Sequence, residues 1–487
     1  MADFKFVGAA YQAASITQEN QECINWYCEI DQTKFAGSPS TNVTGERGVV
    51  ALYPTPGLTL KCQLVNAEVR GLHMLPGGAK FLAVSGNKLY SVNAVYVATA
   101  VGTLSSSAGR VYISDNGVAA YITDGNNRYS YTWGTNTFAT VTDGPFNGGN
   151  VCDEIDNFII YSRPMSNQWG ATNVGDIISN SLSLGSLLGS SCNLVCVVAD
   201  HRQVLLLGEN YSERWVNVGS IPFPFAIIPG SSIQHGLAAQ NSVARLGESI
   251  AFLALDTRGQ ATVIQWGAAV TTPTRISTFA VENAIQNYAV TNDAVAYTYT
   301  QSGHEFYVLT FPSADVTWCY DLATQLWHKR AWRDSNNVLH RHRSNCAAVF
   351  GKDVIVGDWQ NGKIYAFDQT VYTDDGATMP SIRRCPHLTT DLKRQFFYDL
   401  QVQFQPGVGL QAGQGNDPTC ILRWSNNGGF TFGNDHLIKL GKAGQYTRRA
   451  IKRRMGSARD RVYEIEMTDP VYRVVVSANL NAQAGAS

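Results

Sequence analysis

The sequence predicts an all-β protein with three parts: an N-terminal extended segment with docking strands over 1–59, a β-propeller of six or seven blades over about 60–375, and a C-terminal β domain over 376–487. Three observations predict it. Charged residues are 15% of the chain, below the about 25% usual in soluble domains, while Gly reaches 44 and Tyr 22, a profile of turn-rich sheet. Short runs of Val, Ile, Tyr and Phe recur between Asn-Gly, Asp-Gly and Gly-Asn pairs, whose positive φ values close tight hairpins. A unit of apolar strand, turn, aromatic-centred strand and second turn also repeats, at 88–104, 128–143, 158–176, 213–228, 261–278, 317–333 and 363–374. Its steps run from 30 to 55 residues and mostly fall near the roughly 40–50 of a propeller blade.

Taken in order, 4–9 is extended and 24–27 is apolar, and neither fits a blade; these residues are expected to pack beside the C-terminal domain or to close the sheet. Hairpins follow at 80–92 around Gly86-Asn87 and at 117–126, where 117–122 runs into the turn Asp124-Gly125-Asn126. One four-stranded blade cannot bury both of its faces, so blades pack radially and cover each other. The segment 318–327 shows the unit best: an alternating strand, an Asp-x-x-Thr turn, then Trp327 placed to stack between blades. A run of β-sandwiches shares this turn density and is the competing architecture. After Asp375 the unit stops and charge rises, while 396–404 and 471–478 still alternate as strands.

A net charge of −1 gives no whole-chain attraction for polyanions, which disfavours a dedicated nucleic-acid binder but leaves a local basic patch open. The 44% apolar content excludes disorder by low hydrophobicity. Residues 1–20 carry Gln, Thr and Glu where an export signal would carry its apolar run, and no stretch approaches the roughly 18 apolar residues of a membrane span. A soluble chain made in a cytosol, without membrane insertion, is expected. Of ten cysteines the close pairs are Cys23 with Cys28 and Cys192 with Cys196; neither completes a zinc set, and buried free thiols are expected.

Enzyme signatures are missing, and neither catalytic residues nor cofactors are expected. Asp153-Glu154-x-Asp156 and Asp374-Asp375 look like solvated turn ends without the Gly and Glu of a calcium loop. Gly407-Val-Gly409 with Gly413 has the wrong spacing for a dinucleotide loop, and no Walker lysine, Gly-x-Ser-x-Gly elbow or His-Glu-x-x-His is present. The run from Ser425 through Gly428 and Gly429 to Phe432 resembles a sialidase turn, Ser-x-Asp-x-Gly-x-Thr-Trp, with Asn427 for Asp and Phe432 for Trp. It occurs once and outside the expected propeller, so it is read as a structural turn. A carbohydrate-binding or sialidase-like propeller is the alternative function.

Two basic stretches stand out. One is Lys329, Arg330 and Arg333 followed by His340-Arg341-His342-Arg343. The stronger is Arg448, Arg449, Lys452, Arg453, Arg454, Arg459 and Arg461, against the single Asp460. Such a run is an interface or solvated face, or it touches DNA phosphates; aromatics that would stack bases are not interleaved.

Asn25-Trp26-Tyr27-Cys28-Glu29 and Leu52-Tyr53-Pro54-Thr55-Pro56-Gly57-Leu58 resemble the opening of the packaged-DNA stabilisation proteins, the tail hub or nozzle of short-tailed bacteriophages. The run Arg423-Trp424-Ser425 to Gly429, then Gly441 to Tyr446, then Arg454-Met455-Gly456 to Val462, is similar to a pattern of the same family. Cys28, Asn426, Asn427 and Phe432 depart from it. The resemblance implies a non-enzymatic virion part made in the host cytoplasm: a hexameric ring below the portal and adaptor proteins that extends the DNA channel and retains the genome. Tailspikes or fibres and a distal plug are its further implied partners. Within that reading Pro54, Pro56 and Gly57 form a rigid corner. The cations of 448–461 are subunit or adaptor contacts, or line the channel in non-specific contact with genomic DNA. A channel that passes DNA should not grip it, which favours pairing with carboxylates such as Asp460, Glu464 and Glu466 of a neighbouring subunit.

Overall fold

The computed structural model describes residues 2–31, 50–256 and 258–485. Turn chemistry builds it. At Gly86-Asn87 the strands Lys80–Ser85 and Lys88–Asn93 pair antiparallel with Ser85 opposite Lys88, and Gly86 takes a φ of 55° that a side chain would resist. At Asp124 the carboxylate accepts the amides of Asn126 (3.1 Å) and Asn127 (2.7 Å), closing Ala119–Thr123 onto Arg128–Thr132.

Repetition of such hairpins gives seven sheets among the described residues, at 69–103, 112–141, 152–186, 194–227, 235–275, 295–333 and 344–368. Each packs on the next, and Ser344–Phe350 of the seventh closes against Val69–Met74 of the first. These sheets therefore form a seven-bladed propeller, within the expected six or seven. Each of the seven sequence units falls in a different blade. The uneven steps arise at 158–176, which covers the second and third strands of its blade, whereas the other units begin at the third strand.

Blade packing explains the buried aromatics. Trp327 is 1% exposed and its indole Nε1 donates to Ile276 O at 2.8 Å, so the ring from the sixth blade is inserted against the fifth. The turn before it is closed by Asp321, which accepts from Ala323 N (3.0 Å) and Thr324 Oγ1 (2.7 Å). The α-helix among the described residues, Phe279–Gln286, connects these blades and packs on Ala261–Trp266 of the fifth.

The seventh blade takes three strands from its own stretch and its fourth from Gly57–Gln63, which pairs antiparallel with Lys363–Asp368. The first and last parts of the propeller segment thus close the ring through backbone hydrogen bonds. Just before that strand, Val50–Pro54 belongs to a different body. It lies in a sheet ordered Trp26–Ile30, Val50–Pro54, Val475–Ala484, Gln395–Phe404, Ala450–Arg453. A second sheet runs Asn20–Ile24, Ser381–Arg384, Asp460–Met467, Thr419–Ser425, His436–Lys439. Leu400, Val402, Leu422, Tyr463 and Ile465 fill the space between the two sheets, making a β-sandwich.

Propeller and sandwich share backbone and core. Asn20–Ile24 pairs antiparallel with Ser381–Arg384 and, through Ile24 opposite Lys329, parallel with Leu326–Arg333 of the sixth blade. Leu253, Leu309 and Trp318 of the propeller belong to the same apolar cluster as Leu400 and Ile465 of the sandwich. Among the described residues no helix is long and apolar enough to cross a membrane.

Candidate functional site

The strongest cationic run lies at the sandwich edge farthest along both sheets from the propeller. Ala450–Arg453 pairs with Gln395–Phe404, with Arg453 opposite Asp399 and Lys452 opposite Leu400. Arg448 and Arg449 lie in the loop leading into this strand and Arg454 and Arg459 follow it; these four and Arg453 are exposed. Among the described residues none of the five guanidinium groups enters an ion pair. Lys452 is half-buried, its Nζ 3.3 Å from His436 Nδ1; burial and this ammonium hold His436 below its ordinary pKa.

Arg461 differs from the other six. It is 1% exposed, donates from Nε to Asn426 Oδ1 (2.9 Å) and from Nη1 to Met455 O (2.8 Å), and lies over the Phe397 ring at 4.1 Å. It clamps the sandwich from inside and is not accessible to DNA or a neighbour. The carboxylates expected to meet the run from another subunit are also committed within the chain. Glu464 binds Arg384 (2.7 Å) and Arg423 (3.1 Å), and Glu466 binds Arg423 (2.9 Å) and Arg333. Both are buried, and Asp460 is held by His387 at 2.8 Å. Glu464 and Glu466 are thereby withdrawn from intermolecular pairing, whereas Asp460 keeps part of its surface exposed.

The run instead rims a groove of about 1200 Å³, bounded on one side by Ala450–Arg453 and on the other by His436–Lys439. Arg448, Arg449 and Arg453 supply the charge; Leu437 and Tyr446, both largely exposed, supply apolar surface, and Ile438 and Ile451 form the floor. The sequence showed the cations but not the apolar half. Its signal was faint: Leu437 and Ile438 are two apolar residues in a strand of four, and only the sheet order reveals that this strand ends its sheet.

The second basic stretch is consumed within the chain, partly in the junction between propeller and sandwich and partly between the sixth and seventh blades. Lys329 meets Glu22 (3.1 Å), Arg330 donates to Pro56 O (3.0 Å), and Arg341 and Arg343 stack on Trp359 and Trp332 at 4.0 and 3.8 Å. His342 is fully buried, and burial drives its pKa far down.

The corner at Pro54, Pro56 and Gly57 is the passage from sandwich to propeller, buried throughout. Gly57 is needed there for close approach, not for a reversed bend: a Cβ would come within 2.4 Å of Val371 O and 2.6 Å of Thr373 O. Ser425 Oγ accepts Gly429 N (2.8 Å), Asn427 Oδ1 accepts Thr431 N (3.0 Å), and Gly428 and Gly429 take φ values of 71° and 89°. Its polar atoms close the turn itself, in the sandwich. Asp153 and Asp156 pair with Arg245 and Arg202 at the propeller face. The ten cysteines are free thiols, and among the described residues no group of His, Cys, Asp and Glu is arranged to hold a metal ion.

Two family models match in tandem. Residues 40–372 match "Bacteriophage P22 Gp10, beta-propeller" and residues 382–483 match "Bacteriophage P22 Gp10, beta-sandwich". No curated protein matches the sequence. Among solved structures, a chain of a mitotic checkpoint complex is 14% identical, covering 68% of this chain and 95% of that one with a TM-score of 0.42. The N-terminal domain of Nup159 is 12% identical, covering 68% and 97% with a TM-score of 0.40. Neither bears on function. The two tandem matches span both the propeller and the sandwich, and the chain belongs to the bacteriophage P22 Gp10 family of phage structural tail proteins.

Proposed function

We propose that the chain is the hub or nozzle subunit of a short phage tail, non-enzymatic, assembled as a hexameric ring beneath the portal and adaptor and extending the channel that holds packaged DNA. The observation that carries this reading is the match of one structural tail family across both bodies of the chain. The rigid joint supports it. A subunit that contains pressurised DNA must not flex between its parts, and here a strand from the N-terminus is laid between blade and sandwich. Tailspikes or fibres attach to the same ring, and contact with DNA is non-specific. The five unpaired arginines are then partner contacts of the ring or line its channel, because ion pairs that would neutralise them are absent from the described residues.

The test is the mass of the purified protein alone and with a portal–adaptor complex. A ring of several subunits, in solution or stoichiometric on the complex, is expected. A monomer that ignores the complex but is retained on a glycan array would replace this reading with a carbohydrate-binding propeller.

A further inference from the structure

We propose that the groove at the sandwich edge takes an acidic, extended segment of another virion protein as an added β-strand. This rests on the tail-protein reading and adds to it the chemistry of the partner. Both strands that bound the groove end their sheets: Ala450–Arg453 pairs only with Gln395–Phe404, as does the short strand Ser457–Ala458 beyond it, and His436–Lys439 pairs only with Thr419–Ser425. Each therefore presents a row of backbone amides and carbonyls with no strand partner among the described residues, a template for strand addition. Between the two edges the floor is apolar, from Ile438 and Ile451, and the rim is cationic, from Arg448, Arg449 and Arg453.

Three demands identify the occupant. It must hydrogen-bond a strand edge, place apolar side chains on the floor and bring anions to the rim. Duplex DNA meets only the last, since phosphates satisfy guanidinium groups but leave the floor and the edge amides unused. A second copy fits poorly. Groove against groove sets arginine against arginine, and the outermost blade strands Ala98–Thr103, Thr137–Val141, Leu184–Ser186, Phe225–Ile227 and Thr274–Arg275 contain no Asp or Glu. An extended segment alternating acidic and β-branched residues meets all three, because alternate side chains of a strand point to opposite faces.

The experiment uses the full chain and three probes: a fluorescein-labelled peptide of about eight residues alternating Glu and Val, the same peptide N-methylated at alternate amides, and a short duplex DNA as competitor. The first is expected to bind with an affinity that falls as salt rises. N-methylation should weaken it by at least about tenfold, and Arg449→Glu with Arg453→Glu by a similar factor. Hydrogen exchange at 436–439 or 450–453 should slow on binding. Equal binding of the N-methylated peptide, displacement by equimolar DNA without edge protection, or no binding at all would overturn the proposal. Because both arginines are exposed the double variant should fold, checked by an unchanged thermal midpoint. Ring mass on the portal–adaptor complex is read separately, so a wild-type chain that binds the peptide but forms no ring would defeat the hub reading alone.

Discussion

Asp374 is buried, and neither of its carboxylate oxygens has a hydrogen-bond partner among the described residues. Burial raises its pKa to about 6, against the opposing pull of Arg330, Arg343 and Arg473. A carboxyl raised above its unfolded value near 3.9 stabilises the fold fully below that value, and the contribution is lost as pH rises through about 6. Asp374→Asn should therefore be more stable than wild type at pH 8, by up to about 3 kcal/mol, with the difference vanishing near pH 4. Denaturant midpoints across that range measure it, and a pH-independent difference would refute the assignment. His304 extends the same slope upward. Asp321 and Glu29 clasp it at 2.8 Å each and raise its pKa to about 9, so its contribution is present below about 6.5 and fades toward about 9. Single residues like these were the least legible in the sequence. Asp374 read as a solvated turn end and is instead buried, a difference hidden because the three arginines that surround it lie 31 to 99 positions away along the chain. Arg461 read as one more cation of a run, because burial of both faces of Asp460–Met467 is a property of the assembled sandwich.

Strands and turns were legible where their chemistry is local. Gly86-Asn87, Asp124 and the Asp321 to Thr324 turn each specify their hairpin with side chains a few positions apart, and the structure forms all three. The corner at 54–57 was legible as a corner but not in its reason, since the carbonyls that crowd Gly57 belong to residues over three hundred positions downstream. That crowding makes a prediction. Gly57→Ala places a methyl group against two backbone oxygens that no rotamer change can move, in the strand that closes the ring, and should cost at least about 2 kcal/mol. Gly376→Ala is the contrast: its φ of 80° is strained but the space beside it is open, and the cost should be about 1 kcal/mol. Thermal midpoints of the two variants decide between crowding and strain. Equal losses would mean that Val371 and Thr373 yield.

Across the molecule, propeller and sandwich are joined by one strand that neither could supply. Asn20–Ile24 borders the sixth blade and starts the second sandwich sheet, and residues before and within it satisfy Arg383, which is buried and donates to Phe6 O (2.7 Å), Ala9 O (2.8 Å) and Gln21 Oε1 (2.6 Å). The two bodies should accordingly unfold as one, in a single transition seen by calorimetry and by tryptophan fluorescence together. Deleting residues 2–24 removes the shared strand, leaves two sheet edges unpaired and strips those acceptors from a buried guanidinium, a loss of at least about 3 kcal/mol. Because the deletion acts at the joint, the truncated chain should show two separate transitions, with protease cutting first between the seventh blade and Ser381. A truncated chain that still unfolds in one step at the wild-type temperature would mean that the shared apolar cluster, and not the strand, couples propeller to sandwich.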